Sequence, residues 1–189
     1  MNNLTDQQLL KNYINGDQRS LERLIQLHKD KIFTSILLLV KDRFLAEDIF
    51  QDTFIKVIDR LQQGHYNDEG KFAYWVIRIA HNLCIDHFRK AKHMTYIKKP
   101  EDWDIFETLN IVDEPAGNIE QRQSHDKVRK MLDHLPEEQR EVIILRHYAD
   151  MSFAEIAKTT KCSINTALGR MRYGLLNLRK MVKEKQLAL

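Results

Sequence analysis

Apolar positions along this chain recur about every three to four residues in two long blocks, and nowhere alternate as a half-buried strand requires. The first block runs from about Thr5 to Lys92 and the second from about Ser124 to Lys185. With six glycines and three prolines in the whole chain, little interrupts either block, and the pattern predicts an all-α fold of two small helical domains. Between them lies KKPEDWDIFETLNIVDEPAGNIEQ, rich in Asp and Glu, broken by Pro100 and Pro115, and without steady periodicity. It reads as an acidic linker, although Trp103, Ile105, Phe106 and Leu109 are apolar enough to dock on something. The predicted division is 1–94, 95–123 and 124–189.

In the first block, Leu21, Leu24, Ile25 and His28 continue into Ile32, Ile36 and Leu37, which suits one or two core-facing helices. In AEDIFQDTFIKVIDRL, Phe50, Phe54, Val57, Ile58 and Leu61 form an apolar stripe, while Asp48, Gln51 and Asp52 share another face. Two readings are open: a core stripe with a solvated acidic edge, or an acid-and-amide patch, with Phe54 beside it, that docks on a basic partner. FAYWVIRIAHNLCIDHFRK behaves differently. At about 100° per residue, Phe72, Val76, Ile79, Ala80 and Leu83 face a core, whereas Trp75, Arg78, Asn82 and Arg89 fall on another side.

That second face has the chemistry of single-strand recognition. Aromatic rings stack on unpaired bases for roughly 1–3 kcal/mol each, Arg neutralises phosphate, and Asn offers a paired donor and acceptor to a base edge. The polar loop just before it, GHYNDEGKF, with Gly64 and Gly70, could wrap an extruded base. The alternative leaves Trp75 as a half-buried core residue and Arg78 as a surface cation.

The second block predicts a helix ending near His147, then Ser152 and Glu155 as a capping box that starts a short helix to about Thr160. A turn at Lys161 and Cys162 leads to Ser163, a second N-cap, and a longer cationic helix. Two helices joined by a tight turn form a helix-turn-helix, whose second helix enters the major groove. Ile164, Ala167, Leu168, Met171, Leu175 and Leu178 line one arc; Asn165, Thr166, Gly169 and Tyr173 centre the opposite one, flanked by Arg170 and Arg172. An amphipathic helix of a plain bundle would show the same periodicity, so the capped turn is the more specific signal. Lys161 stands where a turn glycine is common; a left-handed conformation there would cost about 1 kcal/mol.

Composition narrows the chemistry. The 189 residues carry a net charge of +3 with 43% hydrophobic residues, as a soluble globular chain does. The only cysteines, Cys84 and Cys162, are far apart, which gives no disulfide framework or zinc ribbon and points to a reducing, cytoplasmic setting. No apolar run is long enough to span a bilayer, and the amino terminus lacks a signal-peptide pattern, so membrane insertion is not expected. His81, Cys84 and His87 do not share one helix face, and no metal or cofactor is expected. The absence of a P-loop, a paired metal-binding carboxylate set or a nucleophile-base constellation argues against an enzyme acting on nucleic acid.

Taken in order, AEDIFQDTFIKV, FAYWVIRIAHNLCIDHFRK, LPEEQREVIILRHYADMSFAEIA and CSINTALGRMRYGLLNLRK resemble an alternative RNA polymerase sigma factor of the extracytoplasmic-function type, within the sigma-70 family. The resemblance spans most of the chain outside the linker. It implies two domains, region 2 and region 4, and a role in promoter-specific initiation rather than catalysis. It assigns Asp48, Gln51, Asp52 and Phe54 to the grip on core RNA polymerase. Trp75, Arg78 and Asn82 correspond to the segment that melts and reads the minus-ten element, with Arg89 on the same face and Tyr66, Asn67 and Asp68 resembling a flipped-base pocket. Ser163, Asn165, Thr166, Gly169, Arg170, Arg172 and Tyr173 would read the minus-thirty-five element as duplex. Leu168 and Gly169 replace the more usual basic and serine residues there. An anti-sigma factor covering both domains is the partner that the family usually implies. A free-standing helix-turn-helix regulator, with an unrelated amino-terminal domain, is the competing reading.

Overall fold

The computed structural model describes residues 4–66, 70–95 and 130–187, with side chains through Ala91 in the second span and Glu184 in the third. The chain forms two compact units, Met1–Leu109 and Asn110–Leu189, and all the described regular structure is α-helical. Beyond Thr95, the predicted linker lies outside the described residues, including Trp103, Ile105, Phe106 and Leu109. Among the described residues no helix is long and apolar enough to cross a membrane.

Local chemistry starts the first three helices of the first unit. Thr5 and Gln8 exchange side-chain and backbone hydrogen bonds in a capping box that opens α1 (Asp6–Ile14). Asp17 accepts from the Arg19 amide at the start of α2 (Gln18–Val40). Asp42 does the same for Leu45 at the start of α3 (Arg43–Gln62), at 3.0 Å. Lys41, at φ 62°, makes the sharp reversal between α2 and α3. The fourth helix, α4, is Phe72–Thr95.

Helix α2 packs on α1, α3 and α4, and α3 also packs on α4. The core joins Leu24, Ile32 and Ile36 of α2 to Ala46 and Val57 of α3 and to Phe72, Val76 and Ile77 of α4. His28 Nε2 lies 2.8 Å from Asp6 Oδ2, tying α2 to α1. The buried Thr53 hydroxyl donates to the Ile49 carbonyl at 2.6 Å, which satisfies it within its own helix. Burial wraps farther around α4 than its periodicity suggests. Trp75, Ile77, His81 and Cys84 are all buried along with the expected Phe72, Val76, Ile79 and Ala80.

The second unit contains helical residues 130–133, then α5 (Glu137–His147), α6 (Phe153–Thr159) and α7 (Ile164–Leu187). Helix α7 packs on both α5 and α6. Its buried arc runs through Ala167, Met171 and Gly174, against a core of Val142, Ile144, Leu145, Met151 and Ile156. A Cβ at Gly174 would stand 2.8 Å from Ile143 Cδ1 and 3.4 Å from Gln139 Cβ, so this glycine sets how closely α5 and α7 approach. Asn177 donates to Gln139 Oε1 at 2.8 Å across the same contact. Ile164 and Leu168, expected on the core arc, are instead 49% and 44% exposed. The arc is turned towards Gly174, whose missing side chain a hydropathy pattern does not register.

Candidate functional site

Three surfaces bear the residues singled out in the sequence. On α3, Asp48, Gln51 and Asp52 are exposed together, as their shared helical face requires. Phe54, on the apolar stripe beside this face, is only 8% exposed, turned inward in an edge-to-face stack 4.9 Å from Phe50, which in turn meets Phe33 of α2 at 5.7 Å. One aromatic neighbour, Phe50, packs on it directly, so its ring belongs to the buried apolar stripe rather than to the exposed face. The apolar members of the exposed face are Phe44, 73% exposed, and Ile55, 58% exposed. Both were missed, although Phe44, Asp48, Gln51, Asp52 and Ile55 follow one helical stripe. The stripe combines apolar surface with carboxylates, a composition suited to a partner with cationic and apolar groups.

On α4, Asn82 and Arg89 are exposed and Arg78 is half-exposed, with Ile85 among them. The Arg78 guanidinium stands 5.9 Å over the Tyr74 ring, which holds its stem along the helix. Arg89 pairs with Asp86 at 3.0 Å, an exposed contact of little energetic weight. Trp75 does not join them as expected. It is 8% exposed, with its ring 6.2 Å from Phe72 and edge-on to Tyr66 at 4.7 Å. The reason is tertiary: Tyr66, in the segment before α4, lies across the indole. Asn67 and Asp68 lie outside the described residues. Tyr66 also lines a cleft of about 440 Å³ with Gln7, Lys11 and Ile14 of α1. These α1 residues carried no signal in the sequence, because only folding brings α1 beside the segment before α4.

The third surface is the paired-helix motif. Ser152 and Glu155 form the predicted capping box at α6. Lys161 takes the left-handed conformation at φ 53°, and Ser163 Oγ accepts from the Thr166 amide at 3.0 Å to open α7. Arg146 braces the preceding turn by donating to the Met151 carbonyl at 2.7 Å while lying 5.3 Å over the Phe153 ring. Ser163, Asn165, Thr166, Arg172 and Tyr173 are exposed, and Gly169 and Arg170 are half-exposed. Among the described residues no cluster of His, Cys, Asp or Glu is arranged to hold a metal ion. Burial pushes the Cys84 thiol up to about 12, which makes it a poor nucleophile or ligand.

Comparison with known families decides what these surfaces belong to. Residues 24–94 match Sigma-70 region 2, and residues 125–170 match Sigma-70, region 4. The chain belongs to the sigma-70 family, in its extracytoplasmic-function branch. It is 28% identical over 171 residues to the RNA polymerase sigma-H factor of Pseudomonas aeruginosa, covering 88% of each chain. It is 27% identical over 175 residues to the ECF RNA polymerase sigma factor SigW of Bacillus subtilis, covering 89% of this chain and 92% of SigW. The sigma factor RpoE of Bartonella quintana, solved with the anti-sigma factor NepR, shares the fold at a TM-score of 0.72 and 21% identity, over 87% of this chain and 98% of RpoE. Region 2 thus includes the α3 and α4 surfaces, and region 4 includes the helix-turn-helix. Membership in this family supports a non-catalytic role.

Proposed function

We propose that this sigma factor binds core RNA polymerase and directs it to promoters, dividing the work among its three exposed surfaces. The α3 stripe of Phe44, Asp48, Gln51, Asp52 and Ile55 docks on polymerase, using carboxylates at the rim and apolar side chains for burial. Region 4 reads the minus-thirty-five element as duplex, with α7 in the major groove and its cations on the phosphates. Region 2 reads the minus-ten element as an unpaired strand laid along Arg78, Asn82 and Arg89.

The arrangement of α4 supports this most strongly. From Phe72 to Cys84 the helix is buried around most of its circumference, which leaves Arg78 and Asn82 as the polar groups on its open side, and Arg89 continues that side into the exposed turn that follows. Binding energy for extruded bases then drives melting, with no hydrolysis needed. In this arrangement Trp75 acts by packing against Tyr66, which lines the cleft. An anti-sigma factor covering these surfaces is the regulatory partner we infer, a reading consistent with the NepR complex of RpoE.

Two substitutions separate the roles. Asp52→Arg is expected to abolish association with core polymerase while changing stability by no more than about 0.5 kcal/mol, because Asp52 is exposed. Asn82→Ala is expected to keep polymerase association and lose promoter opening, measured by reactivity of unpaired thymines. Equal opening by wild type and Asn82→Ala would refute the strand-reading role of α4.

A further inference from the structure

Leu168 stands exposed on α7 beside the buried Ala167, with Ile164 exposed one turn earlier. Their surroundings are not those of an ordinary protein-docking patch. From 163 to 183 the sequence holds no Asp or Glu, and Arg170, Arg172, Arg179, Lys180 and Lys183 are cationic, so the apolar pair sits in a strip complementary to a polyanion. Next to Leu168 is Gly169, inside the helix. Apart from proline, glycine is the weakest choice for such a position. Here neither a left-handed φ nor a packed neighbour requires it, since nothing lies within 4 Å of where a Cβ would be. At about 100° per residue, Asn165, Gly169 and Arg172 share the outward face, with Leu168 at its edge.

We propose that Leu168, with Ile164 behind it, reads a thymine methyl group in the major groove, and that the bare backbone at Gly169 lets α7 approach closely enough to do so. The inference rests on α7 being the duplex-reading helix. The C5-methyl is the apolar feature by which a thymine announces itself in the major groove, and a leucine can recognise it only by burying it. Asn165, one turn before Gly169, has the donor and acceptor pair that suits adenine N6 and N7. Arg172, one turn after Leu168, is placed for phosphate. This pairing of apolar and amide groups selects A·T pairs where a basic residue at 168 would favour guanine.

The test uses the full-length protein with core polymerase and a promoter fragment obtained by transcription mapping. Thymidines of the duplex protected by region 4 are replaced by deoxyuridine, which removes the methyl and nothing else. Wild type is expected to lose affinity about fourfold for each contacted methyl. Leu168→Ala is expected to bind the thymidine fragment as weakly as wild type binds the deoxyuridine one, and to treat the two alike. Gly169→Ala is expected to bind more weakly although its region 4 unfolds roughly 4–8 °C higher. Equal wild-type affinity for both fragments, or continued discrimination by Leu168→Ala, overturns the inference and leaves the proposed function standing. If Leu168→Ala keeps that discrimination but loses an anti-sigma partner, the patch is a protein-docking surface and the inference fails. Loss of all promoter binding by the wild-type complex would remove both.

Discussion

Trp75 decides whether region 2 meets the melted strand with this indole or with the groups around it. Replacing it by alanine removes a side chain that is all but 8% buried. A buried aromatic of this kind covers about 150–250 Å², which at about 25 cal/mol per Å² corresponds to roughly 4–6 kcal/mol as an upper estimate. Measured aromatic-to-alanine changes in cores run about 3–5 kcal/mol, because the cavity collapses only in part. The contacts with Tyr66 at 4.7 Å and Phe72 at 6.2 Å place the loss in the packing of α4 and the segment before it. At about 4 °C or more per kcal/mol for a domain of this size, the thermal midpoint of region 2 should fall by at least about 12 °C. Far-ultraviolet circular dichroism during heating measures it, with region 4 as the unaltered reference. Promoter opening should fall together with the folded fraction, and Trp75→Phe should restore much of both. A Trp75→Ala protein that melts within a degree or so of wild type yet fails to open promoters would refute the reasoning, since the indole would then act on the strand rather than within the fold.

The two central glycines of α7 should answer an alanine scan differently. Both substitutions gain about 1 kcal/mol of helix propensity, but at Gly174 the new methyl would meet Ile143 Cδ1 at 2.8 Å, and overpacking of this sort costs about 1–3 kcal/mol. Gly174→Ala should therefore unfold at lower denaturant than Gly169→Ala, and coincident midpoints would contradict the close α5–α7 contact. Cys84 should resist alkylation in the folded protein while the partly exposed Cys162 reacts, as mass spectrometry of labelled peptides would show. Its thiol is held up to about 12 by burial, against an ordinary value of 9.0, so the unfolded chain loses this proton first as pH rises. Stability should be unaffected by Cys84 below about pH 9 and decline above it, and Cys84→Ala should flatten that alkaline limb in denaturant titrations.

What was legible in the sequence was chiefly local. Capping at Ser152 and Ser163 depends on residues three apart, and the turn at Lys161 on a single position, so the paired-helix motif could be read directly. The exposed acid-and-amide face of α3 was equally plain from helical spacing. Where the burial differs from the helical pattern, the cause is tertiary. Trp75 falls near the edge of the apolar arc of α4, and only the position of Tyr66 decides that it is covered. Phe54 lies beside the acidic face in angle but is captured by Phe50. Leu168 and Ile164 look like core residues by hydropathy, yet the side of α7 that is buried is the one where Gly174 admits α5. The cleft between α1 and Tyr66 joins residues some sixty positions apart, a separation that periodicity does not bridge.

The most direct test of the central claim is reconstitution with bacterial core RNA polymerase and transcription from a genomic fragment library. The account predicts discrete start sites that appear only when both components are present, each preceded by a shared pair of upstream elements. Failure to associate with core enzyme, together with tight retention of duplex fragments by the protein alone, would contradict it and make the chain a free-standing helix-turn-helix regulator.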